Sequence, residues 1–94
     1  MLLSEKRPRL LDDAAWDHPE SARQFQARFA PGTSERDLLE WLGDYDFTVD
    51  RASRTATHRV QGLPCNEIIE VTWHVTNKAV MRDAQAVVHE SGCL

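Results

Sequence analysis

No apolar run in this 94-residue chain approaches the ~20 residues that cross a bilayer as a helix, which argues against direct membrane insertion. Basic charge is also scarce. Eleven Lys and Arg stand against 15 Asp and Glu, for a net charge of -4 and a pI near 5.5. Nucleic-acid partners are therefore not expected, because phosphate neutralisation needs a basic face. Cysteine occurs twice, with no C-x-x-C pair, and His18, His58, His74 and His89 form no H-E-x-x-H motif. Neither a metal site nor a cofactor is expected from such spacing. The remaining composition, 41% hydrophobic and 28% charged, is too apolar for a disordered chain. A chain of this size forms one domain and buries roughly 65% of its unfolded surface.

Residues Met1–Leu11 read MLLSEKRPRLL, with Lys6, Arg7 and Arg9 placed after the first leucines. A secretory signal has its charges first, then a longer apolar run and a cleavage site. The expectation is a cytoplasmic chain or a mature segment whose leader has been removed. Residues 1–16 read as a flexible polar arm anchored by Leu10, Leu11 and Trp16, followed by a single domain over 17–94.

Asp17, Pro19 and Glu20 resemble a capping box, and Ala22, Phe25 and Phe29 supply one apolar stripe on a helix of about 12 residues. Ala30, Pro31 and Gly32 end it. Thr33 or Ser34 caps a second helix, with Glu35 and Asp37 in its first turn and Leu38, Leu39, Trp41 and Leu42 on its buried side. Gly43 is placed to be the left-handed residue after its end.

The period then changes to two. Tyr45, Phe47 and Val49 form one alternating run, Ala56, His58 and Val60 a second, and Ile69, Val71, Trp73 and Val75 a third, after the turn-rich Gly62–Asn66. Ala79–Glu90 reads either as a helix, by propensity, or as a strand returning through Asn77-Lys78. The strand is preferred, because it covers a sheet edge and suits the cysteine geometry. The expected class is α+β: two N-terminal helices packed on one face of a four-stranded antiparallel meander sheet.

Antiparallel register sets Phe47 opposite His58, Arg59 opposite both Asp46 and Glu70, and Thr57 between Thr48 and Thr72. A turn at Asn77-Lys78 puts Cys65 opposite Glu90, with Cys93 three residues further on, beyond Ser91 and Gly92. The alternatives are two independent thiols or a Cys65–Cys93 disulfide. The bridge, favoured here, is worth about 3.6 kcal/mol in the chain-entropy model and points to an oxidising compartment.

The order of two helices and a meander carries F-A-P-G-T (29–33) before the second helix. It also carries L-P-C-N (63–66), a strand ending V-T-W-H-V (71–75), and a terminal G-C-L (92–94). Over about residues 25–94 this resembles the small bacterial envelope proteins of the SmpA/OmlA (BamE) family and the related β-lactamase-inhibitor-protein-like fold. The resemblance implies a helix–turn–helix layer on one sheet face and a periplasmic or outer-membrane location, often as a lipoprotein. It also implies function through protein contacts rather than catalysis. It carries no functional residue over to this chain.

No catalytic constellation is expected. The carboxylates of residues 35–50 (Glu35, Asp37, Glu40, Asp44, Asp46 and Asp50) read as a solvated side rather than a docking patch. The leading expectation is a non-enzymatic protein-interaction or assembly module of the cell envelope. It would bind a protein partner through the open sheet face (Asp46, Thr57, Arg59, Glu70, Thr72 and His74) or through the arm around Trp16. The competing class is a cytoplasmic regulatory binding domain or a small thiol-dependent enzyme with free cysteines. An inhibitor of a secreted enzyme is a third reading, by fold analogy alone.

Overall fold

A computed structural model describes residues 5–62 and 64–94. The first four residues of the expected arm, and Leu63 in the expected turn, lie outside the described residues. Two 3₁₀ turns, Arg9–Leu11 and Pro19–Ser21, precede helices α1 (Arg23–Arg28) and α2 (Glu35–Asp44). Strands β1 (Thr48–Asp50), β2 (Thr55–Val60), β3 (Cys65–Val75) and β4 (Met81–Cys93) follow. All neighbours are antiparallel and the sheet order is β1-β2-β3-β4, so the class is α+β with a four-stranded meander. The ambiguous last segment is a strand.

Alternation decides which side chains are buried. Ala56, Val71 and Ala86 share one row of the sheet; Ile69 and Val88 share the next core-facing row. They join Phe25, Phe29, Leu38, Leu42 and Trp73 in one core cluster. Trp41 is the hub of its aromatic part, with ring centroids 5.6 Å from Phe25 and Phe29, 5.3 Å from Tyr45 and 5.4 Å from Phe47. His58 is half-buried at its core-facing position, 5.2 Å from the Phe47 ring.

Register follows expectation between β1 and β2, where Thr48 faces Thr57, but not beyond. Val60 faces Glu67 and Arg59 faces Ile68, two residues from the expected pairing. The connection is shorter than its composition suggests, because the Asn66 side chain accepts the Gly62 N–H at 3.1 Å and β3 already begins at Cys65. The expected Asp46–Arg59–Glu70 row is therefore absent. Glu70 faces Thr57, and Thr72 faces Thr55. A two-residue slip changes partners but keeps every side chain on its face.

The β3–β4 pairing is displaced similarly, with Glu67 opposite Glu90 and His74 opposite Asp83. Asn77-Lys78 does form the turn: Thr76 O accepts the Ala79 N–H at 3.0 Å, and Thr76 N–H reaches Val80 O at 2.8 Å. Ala79 adds a third loop residue at φ 58°. Arg82 is then extra, lying between the His74–Asp83 and Val75–Met81 pairs. Loop and bulge together account for the two-residue displacement.

The helices also depart from expectation at their ends. No capping box forms around Asp17; Pro19–Ser21 is a 3₁₀ turn and α1 has only six residues. Its N-cap, Ala22, has no side-chain acceptor, so the Asp13 carboxylate takes the Arg23 and Gln24 N–H groups at 3.0 and 3.1 Å. In α2, Ser34, one of the two expected candidates, is the cap and accepts the Asp37 N–H. Gly43 lies inside the helix, and the left-handed position falls on Asp46, φ 61°. Asp46 N–H bonds to Gly43 O and Phe47 N–H to Leu42 O, the two bonds of a Schellman ending. Asp46 and Phe47 thus finish the helix, and β1 starts only at Thr48.

Residues 5–16, expected as a flexible arm, are laid against the sheet. Leu11 has no exposed surface and Ala14 is buried. Glu5 N–H bonds to Gln61 O, and Asp17 N–H to Val88 O. Leu11→Ala should therefore lower unfolding free energy by about 2–5 kcal/mol in urea titration, where a loose arm would give under about 0.5 kcal/mol. Ala79→Gly should raise it by about 0.5–1 kcal/mol, because glycine adopts positive φ without the Cβ penalty.

Candidate functional site

Two surfaces gather the residues singled out from the sequence. The first is the sheet face turned away from the core. Thr57 and Arg59 on β2 and Glu70, Thr72 and His74 on β3 all share it, and all but the half-buried Thr72 are exposed. Asp46 is not among them, since it closes α2. Histidine–carboxylate pairs mark the β4 side: His74 Nδ1 lies 2.8 Å from Asp83, directly opposite in register. His89 Nε2 lies 3.3 Å from Glu70, and its Nδ1 meets Asp17. These pairs are solvent-exposed and contribute at most about 1 kcal/mol each.

The second surface is the sheet end where β3 begins and β4 finishes. Cys65 and Cys93 form a disulfide, with an S–S distance of 2.04 Å and a Cα separation of 4.0 Å. The expected pairing was three residues short of bringing them face to face. The two-residue displacement of the hairpin, plus one extra residue between Glu90 and Cys93, supplies the difference. Gly92 takes φ 116° in that bulge, a conformation that glycine alone adopts readily.

Beside the bridge, Glu67 accepts a bidentate pair from Arg7, Nε at 2.8 Å and Nη2 at 2.6 Å. Trp16 donates its indole N–H to the same carboxylate at 2.6 Å. Arg7 Nη1 also donates to the carbonyls of Leu11 and Ala14, at 3.0 and 2.7 Å. Trp16 runs parallel to Val88 at the β4 edge and keeps 41% of its surface exposed.

Sequence reading passed over Arg7 and Glu67, and also the equivalent group at the other end of β3. There the fully buried Trp73 donates its indole N–H to Glu35 at 2.7 Å, and Arg54 Nε reaches the same oxygen at 2.8 Å. A signal for both was present. Glu67 occupies a core-facing position in line with Ile69 and Val71, where a carboxylate needs a cation, and a buried indole needs an acceptor.

Chemically these groups make hydrogen bonds and ion pairs with one another. Both sulfurs are joined, so neither is a nucleophile while the bridge is closed. Among the described residues no group of three or more His, Cys, Asp and Glu side chains is placed to hold a metal ion, and no helix is long and apolar enough to cross a membrane.

The hydrogen bonds from Arg7, then that from Trp16, hold the Glu67 carboxyl below the ordinary carboxylate range against the opposing effect of burial. For Glu35 the Trp73 hydrogen bond acts first, with Arg54 next, again against burial. A depressed carboxylate stabilises the fold fully above its unfolded pKa of about 4.3, and the contribution is lost as pH falls through the folded value. Urea titrations should therefore show stability falling below about pH 5. Glu67→Gln should flatten that fall and lower stability at pH 7, because Arg7 is left half-buried without its counter-charge.

Comparison with protein-family models, with curated proteins and with solved structures finds nothing that matches this chain.

Proposed function

We propose that the chain is a non-enzymatic protein-interaction or assembly module of the bacterial cell envelope that binds a protein partner through the outer face of β2 and β3. The observation that carries this reading is the set of exposed side chains Thr57, Arg59, Glu70 and His74, which alternate with the buried row and project away from the core on neighbouring strands. A broad polar face held rigid by the packed layer beneath suits recognition by shape and charge. The disulfide is compatible with an oxidising compartment and so supports the envelope location. Trp16, aromatic and part-exposed at the β4 edge, is the second anchor of the same reading.

The test is photo-crosslinking in cells, with the photoreactive residue at Thr57 and, as a control away from this face, at Glu40. Adducts should form from position 57 and not from position 40. The pair Arg59→Ala and His74→Glu should weaken partner binding by about tenfold or more, the loss expected when contacts near the centre of an interface are removed. Unchanged adducts in that double variant would sink the sheet-face proposal.

A further inference from the structure

We infer that the Cys65–Cys93 bridge is a redox latch: its reduction by a dithiol joins two cavities into one groove beside Trp16 while the domain stays folded. A cavity of about 320 Å³ is lined by Trp16, Val60, Cys65 and Glu67 among others. A second, of about 330 Å³, is lined by Asn66, Gly92, Cys93 and Leu94. Gly62 and Pro64 border both. Each half of the disulfide thus lines one cavity.

The bridge is accessible, since Cys93 is exposed and Cys65 half-buried. Neither belongs to the buried core cluster. The register pairs from Glu67–Glu90 to Val75–Met81 lie inside the loop that the bridge closes and are held by the β3–β4 ladder itself, and Glu67 keeps its own hold on Arg7 and Trp16. Beyond Glu90 the chain bulges at Gly92, and Leu94 N–H meets Pro64 O at 2.8 Å. Opening the bridge therefore releases 91–94 and the loop at Pro64, and leaves the sheet in place.

In the exchange, a dithiol thiolate attacks Cys93 Sγ, the S–S bond breaks, and Cys65 leaves as a thiolate that takes up a proton. The second thiol of the reagent then displaces Cys93, which also ends protonated. The dithiol is oxidised to its disulfide, and the chain gains two electrons and two protons.

The experiment treats the folded protein with dithiothreitol in native buffer, alkylates it, and follows intact mass, circular dichroism, hydrogen exchange and acrylamide quenching. Two alkyl groups should be added with the far-ultraviolet spectrum retained. Amides of Cys93 and Leu94 should exchange faster while those of Ile69 and Val71 stay protected. Trp16 emission, taken as the difference from Trp16→Phe, should shift to longer wavelength and quench more readily. The Cys65→Ser, Cys93→Ser double variant should behave as the reduced protein. Alkylation only in denaturant, loss of the folded spectrum on reduction, or unchanged exchange at Cys93 and Leu94 would each overturn the latch. Any of these would leave the bridge a permanent staple.

Discussion

A carboxylate at a core-facing strand position is the constraint from which the ends of the sheet follow. Glu67 alternates with Ile69, Val71 and Trp73 on β3, and moving an ion of this kind out of water costs several kcal/mol unless it is paired and hydrogen-bonded. Arg7 meets that requirement with two parallel bonds, and its remaining nitrogen satisfies the carbonyls of Leu11 and Ala14. Residues that look like a solvated arm thereby become part of the domain. The same combination of indole, carboxylate and guanidinium recurs at the other end of β3, where Trp73, Glu35 and Arg54 tie the start of α2 and the β1–β2 turn to the sheet. Strand β3 is clamped at both ends by one chemical device.

Edge strands invite unwanted pairing, and β4 is an edge strand of 13 residues. The chain covers it with its own segments at two places. Trp16 and Asp17 bridge to Val88, while Gly32 N–H and Thr33 O take up the carbonyl and N–H of Met81 and Glu35 N–H takes up Ala79 O. The second contact also fixes the start of α2, which carries Trp41 into the aromatic cluster. Protection of the edge and placement of the helix are therefore one event.

For β2 and β3 the strand and the face each residue occupies were legible from period-two alternation, since a half-buried strand buries every second side chain. By contrast, β4 was preferred as a strand for edge coverage and cysteine geometry. Ala56, Val71 and Trp73 all lie on the expected face despite the register displacement. Pairing was less legible, because it depends on backbone irregularities that composition does not announce. Ala79 at positive φ and the unpaired Arg82 move β4 by two residues, and nothing about an alanine signals a left-handed turn. Of the outer-face residues, Thr57, Arg59, Glu70, Thr72 and His74 were placed correctly by parity alone. Asp46 was not, because the Schellman ending of α2 takes two residues that alternation assigns to β1.

By itself the sequence determined the α+β class, the order of the first three strands, the identity of most core residues, a cap at Thr33 or Ser34 and, with the last segment taken as a strand, the proximity of the two cysteines. All of these rest on local periodicity or on short-range turn chemistry. Only the tertiary structure decided that residues 5–16 belong to the domain, that Asp13 caps α1 from ten residues upstream, and that Cys65 and Cys93 stand face to face. Each of those is a long-range satisfaction of a buried charge, an orphan N–H or a register. Such demands are visible in a sequence, but the partner that meets them is chosen by the folded chain.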